Sequence, residues 1–336
     1  MKVRRILMEA PEKVRVEEVD LFDQQLADNE ILVKTLYTTV SIGTELFCRA
    51  GQESWFPLPN VPGYSGIGEI LAIGTDKSDF KVGDIITYEG KHASRHITWT
   101  NWVTAKVPNG VDLKYAALLR LANISLTAVR NSQIQLGDFV GVSGAGMIGN
   151  FAAQLAGIQG AEVIGFDFAE HRLAAMKKCG IKYVINPKTE DAKSQVAKIT
   201  DGNMIDTFVE ATGFAKAVPQ YLPLVKKGGE MVLLGSPRES FETDLTPVLN
   251  AIHLEATNVT LKGAHEGSIS AMPAPYVRHS KLQNIKALLR AFADGKLKLE
   301  PLGIKFALPE EMPEIYAELA KNRDAYTGVV IDWTKE

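Results

Sequence analysis

Sulfur is the first thing this chain has little of. Its 336 residues hold two cysteines, Cys48 and Cys179. That number excludes a disulfide framework and a four-thiolate metal cluster. Both are expected to be buried or idle thiols in a reducing compartment. No apolar run reaches the roughly 18 residues of a membrane-spanning helix. The opening Met1-Lys2-Val3-Arg4-Arg5-Ile6 is charged but is not followed by the apolar core of a secretion signal. Basic excess is also missing: the formal net charge is -3, which leaves no electrostatic footprint for nucleic acid or an anionic membrane. The expectation is a soluble, cytoplasmic protein with neither nucleic acid nor membrane among its partners.

What is present is an ordinary globular composition, 46% hydrophobic and 23% charged, in a chain long enough for two domains. Up to about Val107 the sequence reads as short strands and turns. Val14–Val19 alternates apolar with polar, Glu30–Leu36 has the look of a buried strand, and Gly66–Gly74 and Val82–Tyr88 continue the series. From about Tyr115 the pattern changes. A helix over Ala116–Val129 leads into strands at Phe139–Val142, Glu162–Asp167, Tyr183–Ile185, Thr207–Glu210 and Met231–Leu234, separated by helical stretches. Strands alternating with helices at this spacing predict a doubly wound parallel sheet. After Val259–Gly263 come helices at Asn284–Asp294 and Glu310–Lys321 and a terminal strand at Tyr326–Asp332. A tail this small is expected to return to the first module. The fold class is therefore α/β, with a β-rich catalytic domain over residues 1–118 and 265–336 and a Rossmann domain over 119–264.

Within the Rossmann stretch, Gly144-Ala145-Gly146-Met147-Ile148-Gly149 separates a buried strand from an alanine-rich helix. Three glycines in that register serve a tight turn, the approach of a pyrophosphate to the backbone, and close helix–strand packing. The helix N-terminus adds N–H groups and a partial positive charge for the phosphates. Asp167, ending the next strand, suits a ribose 2′-hydroxyl and opposes a 2′-phosphate. Arg172, on the following helix, keeps NADP open beside NAD. Ala211-Thr212 and Gly235-Ser236 fall at the carboxyl ends of later strands, where such sheets bind ligands. The cofactor set is accordingly Gly144, Gly146, Met147, Ile148, Gly149, Asp167, Arg172, Ala211, Thr212, Gly235 and Ser236.

Val61-Pro62-Gly63-Tyr64-Ser65-Gly66-Ile67-Gly68-Glu69-Ile70, Phe80-Lys81-Val82-Gly83-Asp84-Ile85-Ile86, the Gly144–Gly149 loop, Leu136–Val140 and Val209–Gly213 together resemble the medium-chain dehydrogenase/reductase superfamily over essentially the whole chain. The resemblance implies a GroES-like catalytic domain, a nicotinamide cofactor, and a homodimer or homotetramer, with the strand around Val259–Leu261 pairing with its copy. Zinc-dependent members carry a cysteine where this chain has Ile42 in Ser41-Ile42-Gly43-Thr44-Glu45. Their Gly-His-Glu is replaced by Gly63-Tyr64-Ser65, and their further acidic or cysteine ligand aligns with Arg120. Isoleucine, tyrosine, serine and arginine do not make a zinc site, and no four-cysteine lobe lies between Tyr88 and Val107. Neither a catalytic nor a structural zinc is expected; a different metal site from Glu89, His92 and His96 is a minor alternative.

Without a metal, oxidation of an alcohol needs a side chain to take the hydroxyl proton and another to steady the alkoxide. Thr44 matches the family's relaying hydroxyl. Tyr64 stands at the ligand-histidine position, as an acid–base group or as pocket wall. Glu45 is a general base if buried, or a partner of backbone or arginine. Histidine is a side chain suited to act as a base near neutral pH, and His92 is the preferred one of Lys91–His96 to face the substrate. Arg120 either holds an oxyanion or substrate carboxylate, or pairs with an acid. This polar set, with Asn123, points to an NAD-dependent, zinc-independent oxidoreductase of a polyol, sugar or similar alcohol and its ketone. The alternatives are a metal-free NADPH-dependent reductase of quinones or conjugated carbonyls, and a non-catalytic cofactor-binding sensor.

Overall fold

The computed structural model describes residues 2–20, 25–75 and 78–335. The chain forms two compact units, one of Met1–Leu121, Ser270–Gly295 and Gly303–Glu336, the other of Ala122–Ile269 and Lys296–Leu302. The second unit thus begins and ends slightly later than the expected 119–264 and takes in one further short segment.

In chain order, the first unit opens with β1 (Lys2–Ala10), β2 (Lys13–Asp20), β3 (Glu30–Val40), α1 (Ile42–Arg49), β4 (Gly66–Ile73), β5 (Ile85–Tyr88), β6 (Arg95–Trp99), β7 (Ala105–Lys106) and α2 (Leu113–Ala116). α3 (Leu119–Asn131) follows, so the single helix expected over Ala116–Val129 is two helices. The second unit continues with β8 (Phe139–Ser143), α4 (Met147–Ile158), β9 (Glu162–Phe166), α5 (Glu170–Lys178), β10 (Tyr183–Ile185), α6 (Ala192–Ile199), β11 (Ile205–Glu210), α7 (Ala217–Tyr221), β12 (Val225–Leu233), α8 (Thr246–His253) and β13 (Thr260–Gly263). The chain ends in the first unit with α9 (Lys281–Ala293), β14 (Lys305–Ala307), α10 (Met312–Lys321) and β15 (Val329–Asp332). α9 starts before the expected Asn284 because Ser280 and Gln283 form a capping box that fixes its first turn.

The sheet of the first unit runs β14-β15-β3-β4-β5-β7, with β6 also on β3. The C-terminal strand lies antiparallel on β3, Val329 opposite Val40 and Asp332 opposite Tyr37. That pairing brings the tail into the N-terminal module. Trp333, Tyr316, Met312, Val40, Leu46 and Ile6 share one buried core, so α10 and β15 complete a core the N-terminal strands leave unfinished. The module is not purely β: α1 interrupts it just after β3, at a stretch the sequence reading left without structure.

The second unit is a six-stranded parallel sheet in the order β10-β9-β8-β11-β12-β13. Order reverses beside β8, so the carboxyl ends of β8 and β11 flank the switch point at which such sheets hold ligands. Ile164, Phe166, Phe208, Tyr221 and Met231 fill its core, with the Phe208 and Tyr221 rings stacked at 4.9 Å.

Candidate functional site

The second unit presents the glycine loop between β8 and α4. Gly144 sits at a φ of +87°, and a β-carbon on Gly149 would stand 1.7 Å from the Gly144 carbonyl oxygen. Only hydrogen fits there, so β8 and α4 meet without a gap. Gly146 differs: a β-carbon there meets nothing within 4 Å, and as N-cap of α4 it offers no capping side chain. The first N–H groups of a twelve-residue helix are therefore left beside open space. A pyrophosphate fits that chemistry.

Asp167 follows directly on β9. Its Oδ2 accepts from Ala145 N–H at 2.6 Å and its Oδ1 from Ala169 N–H at 2.8 Å. The acid thus braces the glycine loop from the side where a ribose would lie. Glu210, whose role the sequence reading passed over, ends β11 buried. It accepts from the N–H of Thr212 at 2.7 Å and of Gly213 at 3.2 Å, and from the Thr212 hydroxyl. Burial raises its pKa above the ordinary carboxyl value, and those hydrogen bonds only partly offset this. The turn it holds is packed tightly: a β-carbon on Gly144 would lie 3.0 Å from Thr212 Cγ2, and one on Gly235 would lie 2.2 Å from Gly213 N. Ala211, Thr212, Gly235 and the exposed Ser236 accordingly form one wall next to the loop. Met147 and Ile148 open α4, Met147 buried, and Arg172 lies half-buried in α5.

In the first unit, the five predicted catalytic residues divide into two groups. Glu45 and His92 are both buried, at 2% and 0% side-chain exposure, with Glu45 Oε2 3.1 Å from His92 Nε2. Glu45 also accepts from Ser41 N–H at 2.8 Å and from the Tyr316 hydroxyl. His92 Nδ1 lies 2.9 Å from Thr38 Oγ1, which in turn accepts from Trp333 Nε1–H at 2.9 Å. Both side chains, expected as possible bases, are engaged inside the chain, in a network that joins α1, β3, α10 and the residue after β15. Tyr316 and Trp333 lie 271 and 295 positions from their partners, a separation no local pattern signals.

Burial alone would raise the Glu45 carboxyl. A positive His92 and the hydrogen bonds from His92, Tyr316 and Ser41 N–H outweigh it, and the net shift is downward. Tyr316 moves the other way, pushed up by burial and by the Glu45 charge it faces.

The second group is Tyr64, Arg120 and Thr44. Tyr64 is half-buried and donates to Ser41 Oγ at 2.6 Å. Arg120, 5% exposed, lies with its guanidinium carbon 5.6 Å from the centre of the Tyr64 ring. Its Nε and Nη2 both reach Glu89 Oε1, the Nε at 2.9 Å, and Trp102 Nε1–H donates to Glu89 Oε2 at 2.7 Å. Of the two roles weighed for Arg120, the geometry gives the ion pair, with Glu89 rather than Glu45 as the acid. Its charge is matched within the chain. Thr44 sits half-buried in the first turn of α1. Ser41, missed by sequence reasoning, stands as N-cap of α1 yet makes no side-chain capping bond.

The residues at the zinc-ligand positions are thus Ile42, Tyr64 and Arg120, and Ser65 Oγ donates to the Ala117 carbonyl at 2.8 Å. Among the described residues no group of three or more histidine, cysteine, aspartate or glutamate side chains is placed to hold a metal ion. This includes the Glu89, His92 and His96 alternative. Glu89 is bound to Arg120, His92 to Glu45, and His96 stacks on Tyr88 with ring centres 5.7 Å apart. A zinc ion does not fit this donor set. Cys48 and Cys179 are both buried and form no disulfide. No helix among the described residues is long and apolar enough to cross a membrane.

Comparison with known proteins finds two family models on the chain. The alcohol dehydrogenase GroES-like domain matches residues 27–107 and the zinc-binding dehydrogenase domain residues 148–281. D-guloside 3-dehydrogenase of Escherichia coli is 32% identical over 166 residues, 48% of this chain and 47% of that protein. The chain thus spans about half the length of that relative. D-arabitol-phosphate dehydrogenase of Enterococcus avium is 26% identical over 266 residues, 69% of this chain and 75% of that protein. Among solved structures, galactitol-1-phosphate dehydrogenase from Escherichia coli superposes with a TM-score of 0.84 over 98% of this chain and 99% of that chain, at 18% identity.

Proposed function

We propose that this chain, which belongs to the medium-chain dehydrogenase/reductase superfamily, is a zinc-independent, NAD-dependent oxidoreductase of polyols, sugars or related polar alcohols. The observation that carries the reading is the pair of groups at the ligand positions. Tyr64 is bonded to Ser41 and Arg120 is committed to Glu89. A hydroxyl donor–acceptor beside an internally neutralised arginine suits an uncharged alcohol, and it supplies no ligand for a metal. The Gly146 opening, the α4 N-terminus, Asp167 and the Ala211–Thr212 turn would hold the cofactor. Bound there, NAD supplies a hydride acceptor for the carbinol carbon. The chain's own part is to bind and orient the alcohol and to take its proton at Tyr64 Oη. The relatives named for guloside, arabitol phosphate and galactitol phosphate support a hydroxyl-rich substrate. By the same reading the protein works as a homo-oligomer in the cytoplasm.

The test is turnover of a polyol and sugar panel with NAD and with NADP, before and after exhaustive chelation. Activity with NAD that survives chelation is expected. Activity restored only by added zinc overturns the zinc-free reading, and preference for NADPH with a simple quinone overturns the substrate class.

A further inference from the structure

Ser41 occupies a position where serine usually has a defined task. Serine is among the preferred N-cap residues because its hydroxyl oxygen accepts from a backbone N–H in the first helical turn, a bond worth about 1 kcal/mol. Ser41 is the N-cap of α1 but makes no such bond. Its backbone φ of -87° and ψ of 82° lie outside the extended range usual for a cap. Its Oγ instead accepts the Tyr64 hydroxyl at 2.6 Å, short even for an O–H···O bond. The local structure forgoes a capping bond and gains a hydroxyl–hydroxyl contact.

The backbone around Ser41 is fixed to keep it so. Its N–H donates to Glu45 Oε1, its carbonyl accepts from Glu45 N–H at 2.8 Å, and Glu45 is anchored by His92 and Tyr316. The buried network thus ends on the residue that holds the Tyr64 hydroxyl. On the other side, the Arg120 guanidinium packs over the Tyr64 ring, 5.6 Å from its centre, and holds the ring in place.

We propose that Ser41 is the proton-relay partner of Tyr64, an inference that rests on the alcohol-oxidising reading above. As the alcohol O–H bond breaks, its proton passes to Tyr64 Oη and the oxygen keeps the bonding pair. In concert the Tyr64 proton passes to Ser41 Oγ, and the original Ser41 hydroxyl proton leaves to solvent from this half-buried side chain. A bound nicotinamide would supply the acceptor for the hydrogen and bonding pair that the carbinol carbon gives up as the carbonyl forms. Neither residue carries a lasting charge, so Tyr64 acts as base without ionising in the resting protein. Glu45 and His92 are positioning residues for this relay.

The pairing is read independently of turnover by following the Tyr64 resonance in full-length protein labelled at tyrosine Cζ, assigned with Tyr64→Phe. When Tyr64 ionises, Ser41 becomes the donor to a phenolate, and such charge-assisted bonds are the stronger ones. In Ser41→Ala the Tyr64 resonance should therefore titrate at higher pH, by about one pH unit, and Ser41→Thr should restore it. Because the hydroxyl caps nothing, Ser41→Ala should lose no more than its one bond to Tyr64, about 1 kcal/mol, and lower Tm only by a few degrees. With a substrate that turns over, Ser41→Ala should lower kcat by roughly 100-fold with little change in KM, and turn a proton inventory with several protons in flight into a linear, single-proton one. An unchanged Tyr64 titration overturns the pairing. A fall in Tm matching the fall in kcat, unrescued by Ser41→Thr, overturns the relay in favour of a structural role. If the wild type oxidises no alcohol, the functional reading fails and the relay with it, while the titration still decides the Ser41–Tyr64 pairing.

Discussion

Glu45 Oε2 and His92 Nε2 lie 3.1 Å apart with both side chains sealed from solvent. An ionised carboxylate in such a place is tolerable only when fully partnered, and Glu45 has three partners. Removing one member of a buried pair leaves the other uncompensated. Glu45→Gln should cost about 3 kcal/mol, since its amide would turn a donor toward the His92 N–H.

The same pair sets an acid limit. The Glu45 carboxyl is held below its ordinary 4.5 in the folded chain, so it binds a proton more readily unfolded than folded. Its contribution is complete above about pH 4.5 and is lost as pH falls through the lower folded value. Urea-unfolding midpoints from pH 7 down to pH 3 should show that loss in the wild type. Glu45→Gln, already weaker at neutral pH, should follow a flatter course over this window.

The glycine loop offers a sharper separation of folding from binding. Gly149→Ala drives a β-carbon onto the Gly144 carbonyl, whereas Gly146→Ala meets empty space at a φ of -64°. The first should lower Tm and abolish cofactor binding together. The second should leave Tm nearly unchanged, yet raise the Kd for NAD by roughly 10-fold or more, because its methyl group occupies the approach of the pyrophosphate. Thermal melts paired with fluorescence titration of NADH check both. Equal losses of Tm in the two variants would contradict the assignment.

How much of this was legible in the sequence follows from how far each signal reaches. The parallel sheet and the Gly144 loop were readable because strand–turn–helix grammar is written in consecutive residues. Ile42, Tyr64 and Arg120 were readable as departures only through the family resemblance, which supplies the ligand positions they occupy. The burial of His92 was not, since it depends on Thr38 and Glu45 meeting its ring from some fifty positions away, with Thr38 in turn held by Trp333 near the end of the chain. Nor was α1 foreseen: Ile42–Arg49 is only eight residues long with the weak helix formers Gly43 and Thr44 in its first turn, and its stability comes from Leu46 and Cys48 packing in the core with α10 and β15. Ser41 gave one faint hint, a serine next to a helix start. Its diversion to Tyr64 is a tertiary fact.

Arg120 and Glu89 are coupled closely enough to be separated by a double-mutant cycle. Arg120→Met leaves the Glu89 carboxylate facing Trp102 alone, and Glu89→Leu leaves a nearly buried guanidinium beside Tyr64. Each single change should cost about 3 kcal/mol, the second more than the first because Arg120 is the more buried partner. The double variant should recover much of the loss, since apolar side chains of similar volume often replace a buried ion pair without penalty. Additive losses, measured by urea unfolding, would show that the two residues act separately.

His96 supplies a pH response of a different range. Burial foremost, then the Lys91 charge, push its pKa down to about 4, against a partial offset from a hydrogen bond to the Glu89 backbone. The unfolded chain therefore takes up this proton near pH 6.5, well before the folded chain does. Stability is unaffected above pH 6.5 and falls steadily as pH drops from there toward 4. The conversion of about 1.4 kcal/mol per pH unit makes the whole loss about 3 kcal/mol. This window lies above that of Glu45, so the two effects separate along one titration. His96→Phe keeps a ring to stack on Tyr88 and removes the titrating nitrogen. Its unfolding free energy should stay level between pH 6.5 and 5, where the wild type already declines. A wild-type curve that is flat over that interval would mean that His96 takes up its proton in the folded chain as easily as in the unfolded one.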